Sequence, residues 1–319
     1  MVWITGSNGM LAKELEGIFA KNGIKWIGSG RDVDVTDQIA LDTFADSHDL
    51  SSSQTGYAVA EGKTAGKIDW IINCSGYTKV DKAEHEQEEA QKVNAEGPRN
   101  IARTARHIGA KLIHISTDYI FDGEASEPYN ENAKKNPLSV YGRTKSAGED
   151  AVQKEMTQYY ILRASWLYGF NGHNFVYTMT KAMNERDSVK VVNDQKGTPT
   201  SCTTLASIIL KIIQTSENAH HLFGKNAAIP YGIYNCSDLG ETTWFGFAEY
   251  IYTFGRKYGR ITKECEVNAC TTADYPQDAK RPAYSVMNKS KIQSALKIKL
   301  PSWEESLEKF IKSESFAPV

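Results

Sequence analysis

Short apolar runs alternate with longer segments of helical period through the first half of the chain. Val2-Trp-Ile-Thr5 reads as a strand, and Met10 to Lys21 as a helix with Leu11, Leu15, Ile18 and Phe19 at helical spacing. Lys25-Trp-Ile-Gly28 is a second strand and Ile68-Asp-Trp-Ile-Ile-Asn73 a buried one. A polar helix is expected from His85 to Ile108, then a strand over Lys111 to Thr117, a helix carrying Tyr141, and a strand over Tyr159 to Arg163. Strands separated by helix-length segments pair in parallel through crossovers. The fold class this predicts is α/β, a Rossmann-type doubly wound parallel sheet.

The second half alternates less regularly. Helices are expected over Asn174 to Arg186, Thr203 to Gln214, Glu241 to Tyr258 and Ser302 to Lys312, with strands at Val189 to Asn193 and Gly232 to Asn235. Residues 1–168 are therefore assigned to a dinucleotide-binding domain, completed by parts of 203–240. Residues 169–319 mainly form a smaller, interleaved α/β substrate domain. Residues 47–67 are rich in Ser, Gly and Ala without either period, and read as an inserted surface loop.

Ligands of such sheets sit at the C-terminal strand ends. Gly6, Asn73-Cys-Ser-Gly76, Thr117 and Ala164-Ser-Trp166 all fall there. Gly6-Ser-Asn8-Gly9-Met10-Leu11-Ala12 fills the first strand-to-helix turn, where glycines let backbone N–H groups approach a pyrophosphate at a helix N-terminus. An acidic residue after the second strand would bond the ribose diol of NAD. The residue there is Arg31, which suits the extra phosphate of NADP, so NADPH is the expected cofactor and NADH the alternative.

Tyr141-Gly-Arg-Thr-Lys145 puts a phenol and an ammonium four residues apart on one helical face. A cation held beside a phenol favours the phenolate and pulls its pKa toward neutrality. Such a Tyr can hand a proton to a carbonyl oxygen as hydride reaches the carbon, which is half of a ketone reductase. Spacing alone is weak, because with 16 Tyr in the chain a second match, Tyr177 to Lys181, also occurs. Tyr141 follows a strand that ends in the Thr117 hydroxyl. Tyr177 has no upstream glycine or hydroxyl and reads as ordinary helix surface.

Bulk properties narrow the classes. The chain has 319 residues, a formal charge of −2, 40% apolar and 24% charged residues, the balance of a soluble globular protein with no nucleic-acid footprint. No leader and no segment long enough to span a bilayer is evident, so neither membrane nor export is expected and the location is read as cytoplasmic. The 5 Cys are odd in number and scattered, as reduced thiols are, and neither they nor His114, His220 and His221 form a metal pattern. The aromatics between Glu241 and Tyr258 read as packing.

Several blocks, in order, carry a resemblance. They are Asn73-Cys-Ser-Gly-Tyr-Thr-Lys-Val-Asp-Lys-Ala-Glu84, Ser116-Thr-Asp-Tyr-Ile-Phe-Asp-Gly123, Tyr141 to Lys145, Arg163-Ala-Ser-Trp-Leu-Tyr168, Val192 to Thr200 and Arg281-Pro282. The chain resembles the extended short-chain dehydrogenase/reductase superfamily and, within it, the dTDP-4-dehydrorhamnose reductase family, nearly throughout except for 47–67. The resemblance implies reduction of the 4-keto group of dTDP-4-dehydro-L-rhamnose to dTDP-L-rhamnose. It implies Tyr141 as proton donor, Lys145 as the residue that tunes it and holds the nicotinamide ribose, and Thr117 on the sugar carbonyl. Val80, Asp118, Tyr119 and Trp166 fall at substrate positions, and Arg281 would clamp a diphosphate or pair with a carboxylate. Gly9, Met10 and Leu11 match the pyrophosphate turn, Asp34 and Val35 the adenine side, and Ser75, Gly76, Tyr77 and Thr78 the cofactor-side strand end.

Some members of that family are homodimers bridged by a divalent cation through glutamates. Glu14 and Glu304 fall at two of those positions, but Thr203 at the third is a poor ligand, so bound Mg is not expected and a homodimer is left open. Two other readings stand beside the reductase. One is a non-catalytic NADP-binding regulatory subunit of the same fold. The other is a different nucleotide-sugar 4-ketoreductase or epimerase.

Overall fold

The computed structural model describes residues 1–48, 66–222 and 229–318 of the 319-residue chain. Five strands of the first half, β1 (Val2–Thr5), β2 (Trp26–Ser29), β3 (Trp70–Asn73), β4 (Lys111–Thr117) and β5 (Tyr159–Ala164), join Gly232–Asn235 in one sheet. The order is Gly232–Asn235, β5, β4, β3, β1, β2, and every pairing is parallel. The Gly232 strand thus returns from the second half to complete the sheet. Most of the inserted stretch, residues 49–65, lies outside the described residues.

The crossovers are α1 (Met10–Lys21), α2 (Gln38–His48), the short α3 (Val80–Ala83) and α4 (Gln87–Gln91), then α5 (Gly97–Ile108) and α6 (Val140–Glu155). Alternation along β1 decides what each face buries. Ile4 points with Ile72 toward Leu11, Leu15 and Phe19 of α1 and toward Leu205 and Ile209 of the helix Cys202–Leu222. Trp3 points with Ile71 and Leu112 toward Leu41 of α2, Ile101 and Ala105 of α5 and Val152 of α6. Each such side chain withdrawn from water contributes about 1.5–3 kcal/mol. This three-layer core fixes the strand ends.

The expected helix from His85 to Ile108 is not one regular rod. A π-helical segment, Lys92–Glu96, separates α4 from α5. The widened turn accommodates Asn94, whose amide accepts from Tyr77 N at 2.9 Å and donates to Tyr77 O at 3.0 Å. Side-chain bonds to the backbone after β3 thereby tie the crossover to the sheet mouth, a frequent use of π segments.

A second cluster joins Tyr168, Val176, Met183, Phe247, Trp303, Leu307 and Phe310, beside the parallel pair Ser188–Val192 and Glu266–Cys270. Tyr177 belongs to it. It is buried, edge-on to Phe316 and bonded to Phe170 O at 3.3 Å, so it is core rather than the expected helix surface. Among the described residues no helix is long and apolar enough to cross a membrane.

Candidate active site

A cleft of about 880 Å³ opens at the C-terminal ends of the sheet strands. The strand order reverses between β1 and β3, and the loops leaving those two strands diverge there, as the rule for ligand sites in open α/β sheets requires. Gly6 adopts a left-handed φ of +65° with the β3 exit packed against it. A Cβ at that position would meet Ser75 N at 2.8 Å, so only glycine lets the two loops close on one another.

A buried polar relay holds the cofactor-side turn. Asn73 Oδ1 accepts from Thr5 Oγ1 and from Ser75 N, both at 3.0 Å, and Ser75 Oγ donates to Thr5 Oγ1. The Asn73 amide also meets His114 Nδ1 at 3.1 Å, and burial holds His114 neutral, well below its ordinary pKa. Asn8, Gly9, Met10 and Leu11 form the floor of the cleft at the start of α1, with Ser75, Gly76 and Thr78 opposite and Arg31 at its edge. Glycine-lined backbone at a helix N-terminus with a guanidinium at the cleft edge fits a phosphate-bearing dinucleotide.

The facing side is built on β4 and α6. Ser139 caps α6 by accepting from Gly142 N at 3.1 Å, which starts the helix at the cleft. A Cβ on Gly142 would lie 2.2 Å from Tyr119 O, so glycine at this step lets α6 press onto the β4 exit. Tyr141, Thr117 and Lys145 thereby line the same cleft as the glycine turn, with the Tyr141 ring edge-on to Tyr119 at 5.5 Å. Lys145 is buried and donates to Ile115 O at 2.6 Å.

The electrostatics reverse one expectation. Tyr141 is not pulled toward neutrality. Loss of solvent pushes it up to about 12, the Thr117 hydroxyl opposing and the Asp118 carboxylate adding to the rise. Loss of solvent also brings Lys145 down to about 8, with Glu149 opposing. Desolvation outweighs pairing because the Lys145 ammonium is directed at the Ile115 carbonyl. Asp118 rises to about 6 on burial, and its Oδ2 has no partner among the described residues.

Val80, Asp118, Tyr119 and Trp166 also line the cleft. Trp166 holds a left-handed φ of 46°, unusual for an aromatic residue, and stacks on Trp244 at 3.7 Å and 10°. Trp244 lines the cleft too, although the sequence pattern around it reads as packing alone. Cys74, within the Asn73 block, also lines the wall, as does His173, which no motif signalled. Other expected residues are not brought to the wall. Asp34 turns back on Thr36 N at 2.8 Å, Val35 packs against Gly97, and the Tyr77 hydroxyl bonds Glu86. Arg281 forms a bidentate pair with Asp81 at 2.9 and 2.7 Å, so its fork is engaged by a carboxylate rather than open to a diphosphate.

Glu14 accepts a hydrogen bond from Thr203 Oγ1 at 2.7 Å. Among the described residues no cluster of His, Cys, Asp and Glu is arranged to hold a metal ion. A smaller cavity of about 550 Å³ lies between Cys202–Leu222 and Trp303–Lys312, and carries none of the expected catalytic groups.

A doubly wound sheet whose glycine turn faces a Thr–Tyr–Lys set defines the class, an extended short-chain dehydrogenase/reductase. Residues 1–316 match the family model described as the RmlD substrate binding domain. The chain belongs to that family. It is 35% identical to the dTDP-4-dehydrorhamnose reductase of Sinorhizobium fredii, over 97% of this chain and 95% of the relative. It is 37% identical to that of Salmonella typhimurium, over 79% and 82%. Among solved structures, a dTDP-4-dehydrorhamnose reductase from Clostridium acetobutylicum superposes with a TM-score of 0.83 at 36% identity, covering 97% of this chain and 98% of that one. One from Bacillus anthracis, in complex with NADP, gives 0.82 at 34%, covering 97% of both.

Proposed function

We propose that the protein reduces the 4-keto group of dTDP-4-dehydro-L-rhamnose to dTDP-L-rhamnose with NADPH. The observation that carries this reading is the convergence of Thr117, Tyr141 and Lys145 on the cleft that also holds the glycine turn. Relatives covering most of the chain bear the same activity in their names, and one is solved with NADP.

When bound, the nicotinamide cofactor supplies the hydride. Asn8, Gly9, Met10, Leu11, Ser75 and Gly76 would hold its phosphates and ribose by backbone contact, and Arg31 the extra phosphate. The Tyr141 hydroxyl donates its proton to the sugar O4, so a C–H and an O–H bond replace the carbonyl π bond. Thr117 donates a hydrogen bond to the same oxygen, polarising it in the ground state and more strongly in the transition state. Lys145, cationic below about pH 8, stabilises the phenolate left on Tyr141. Trp166, backed by Trp244, walls the sugar, while Asp118, Tyr119 and Val80 complete its surround.

Residues 1–168, with parts of 203–240, act as the dinucleotide domain, and 169–319 mainly as the sugar-nucleotide domain. The protein acts in the cytoplasm on a small nucleotide sugar, as monomer or homodimer, without a bridging metal. The test is NADPH oxidation on a panel of 4-keto-6-deoxy sugar nucleotides with NADH as comparator. The reading expects turnover with the dTDP-linked 4-keto sugar and a preference for NADPH. Absence of turnover on every member, with one stoichiometric enzyme partner captured instead, would favour the non-catalytic subunit.

A further inference from the structure

α6 continues the spacing of Tyr141 and Lys145 by one more step. Glu149 stands four residues beyond Lys145 on the same face, fully buried. Its carboxylate accepts from Arg163 Nε at 2.9 Å and Nη2 at 2.8 Å, and from Ser116 Oγ at 2.6 Å. One buried side chain therefore ties α6 to both β4 and β5. The stretch of β4 it holds supplies Ile115 O to Lys145 and, one residue past Ser116, the Thr117 hydroxyl. A buried ion pair is poor value as a stabiliser, since apolar side chains of like volume do as well. Its position beside the reacting groups suggests a different use.

We propose that Glu149 is a positioning residue for the reduction, locked by Arg163, that keeps Lys145 charged and in register with Tyr141 and Thr117. The proposal rests on the ketoreductase reading for its catalytic consequence, but not for its effect on Lys145. The groups facing Lys145 come from three elements. Glu149 lies on its own helix, with Tyr141 one turn before Lys145, Cys74 at the exit of β3 and His114 on β4. Burial keeps the Cys74 thiol neutral, pushed up to about 12, and keeps His114 uncharged. Tyr141 is also neutral at physiological pH. Among these groups Glu149 is the anion that opposes desolvation of the ammonium. Glu149 in turn is faced by Arg163 of β5, Ser116 of β4, Lys135 of the loop before α6 at 3.7 Å, and Tyr159.

The experiment titrates Lys145 by NMR on protein carrying ε-¹³C-lysine, with the resonance assigned from Lys145→Arg, alongside a pH–rate profile. Glu149→Gln should move the Lys145 titration down by about one pH unit or more. The alkaline limb of kcat should move with it, while KM for the nucleotide sugar stays put. Glu149→Asp, which keeps the charge, should restore most of both. Since Glu149→Gln strands the buried Arg163, the double variant Glu149→Gln/Arg163→Met is measured in parallel and should show the same downward shift. An unmoved Lys145 titration in the folded variants overturns the proposal, as does activity that falls equally at every pH with no limb shift. If Lys145 shifts as expected but the unsubstituted protein reduces no keto sugar, the effect of Glu149 on Lys145 stands and the substrate reading falls.

Discussion

Two Tyr–x–x–x–Lys pairs in one chain have the same spacing and opposite fates. Tyr141 begins α6 at the mouth of the sheet, and its partner Lys145 is buried beneath the cleft. Tyr177 lies in the helix Phe175–Glu185, its ring packed among Phe310 and Phe316 and its partner Lys181 turned out to solvent. Four-residue spacing thus places two side chains along one helix but leaves their surroundings undecided. What separates the pairs is the element before each. Tyr141 is pressed onto a strand exit by the close approach of Gly142 to Tyr119 O, whereas Tyr177 follows an Asn174 cap in the second lobe.

The largest expected difference follows from that placement. Tyr141→Phe removes the proposed proton donor and should lower kcat by about 10²–10⁴-fold with NADPH affinity nearly intact. Tyr177→Phe should leave kcat unchanged and cost about 1 kcal/mol of stability through its bond to Phe170 O. Turnover assays and denaturant melts of both variants measure the contrast, and equal loss of kcat in the two would erase it. A smaller effect concerns charge. Lys145 is brought down to about 8, so kcat should decline as pH rises through that value and the ammonium neutralises. Lys181→Met should leave that limb in place. An alkaline limb that first appears near pH 10.5 would mean that Lys145 is not desolvated.

The aromatic wall sharpens the comparison on the substrate side. Trp244→Ala removes the ring stacked on Trp166, an interaction worth about 0.5–1.5 kcal/mol beyond burial. It should raise KM for the nucleotide sugar by up to about tenfold without changing KM for NADPH. Equal rises in both constants would show that Trp244 only supports the fold.

The last effect is one of stability rather than turnover, read against pH. Asp118 is raised from 3.8 to about 6, so the folded protein binds its proton more tightly than the unfolded chain. That contribution is fully present below about pH 4 and is lost as pH rises through about 6. Asp118→Asn should therefore gain stability relative to the parent between those values, on the order of 2–3 kcal/mol, and the gain should be constant above them. Thermal unfolding from pH 4.5 to 7.5 reads this, and a gain that does not grow with pH would contradict the buried carboxylate.

Much of this was legible along the chain because the sheet is coded locally. Runs such as Trp70–Asn73 are apolar on both faces, and the helices between them carry their own period, so strand order follows from crossover rules. The glycine turn and the Tyr141 pair sit within single elements and were equally readable. Contacts between segments distant in sequence were not. Trp244 enters the cleft only because its helix packs over Trp166, and the aromatic period around it looks the same as core. The pairing of Arg281 with Asp81 joins segments 200 residues apart, and spacing carries no trace of it. The π segment at Lys92–Glu96 hid inside a continuous polar helical pattern, because one extra residue leaves the period nearly unchanged. The pKa of Tyr141 depends on its depth in the cleft, which helical spacing does not encode.

The proposed reduction requires one ketone to sit between Tyr141, Thr117 and the nicotinamide in a single cleft. A crystal structure with NADP and dTDP-L-rhamnose tests it most directly. The sugar O4 should lie about 2.6–3.2 Å from both the Tyr141 and Thr117 hydroxyls, with the nicotinamide ring on the opposite side of C4. A sugar seated away from both hydroxyls, or a cofactor pyrophosphate bound away from the glycine turn at Gly6–Leu11, would contradict it.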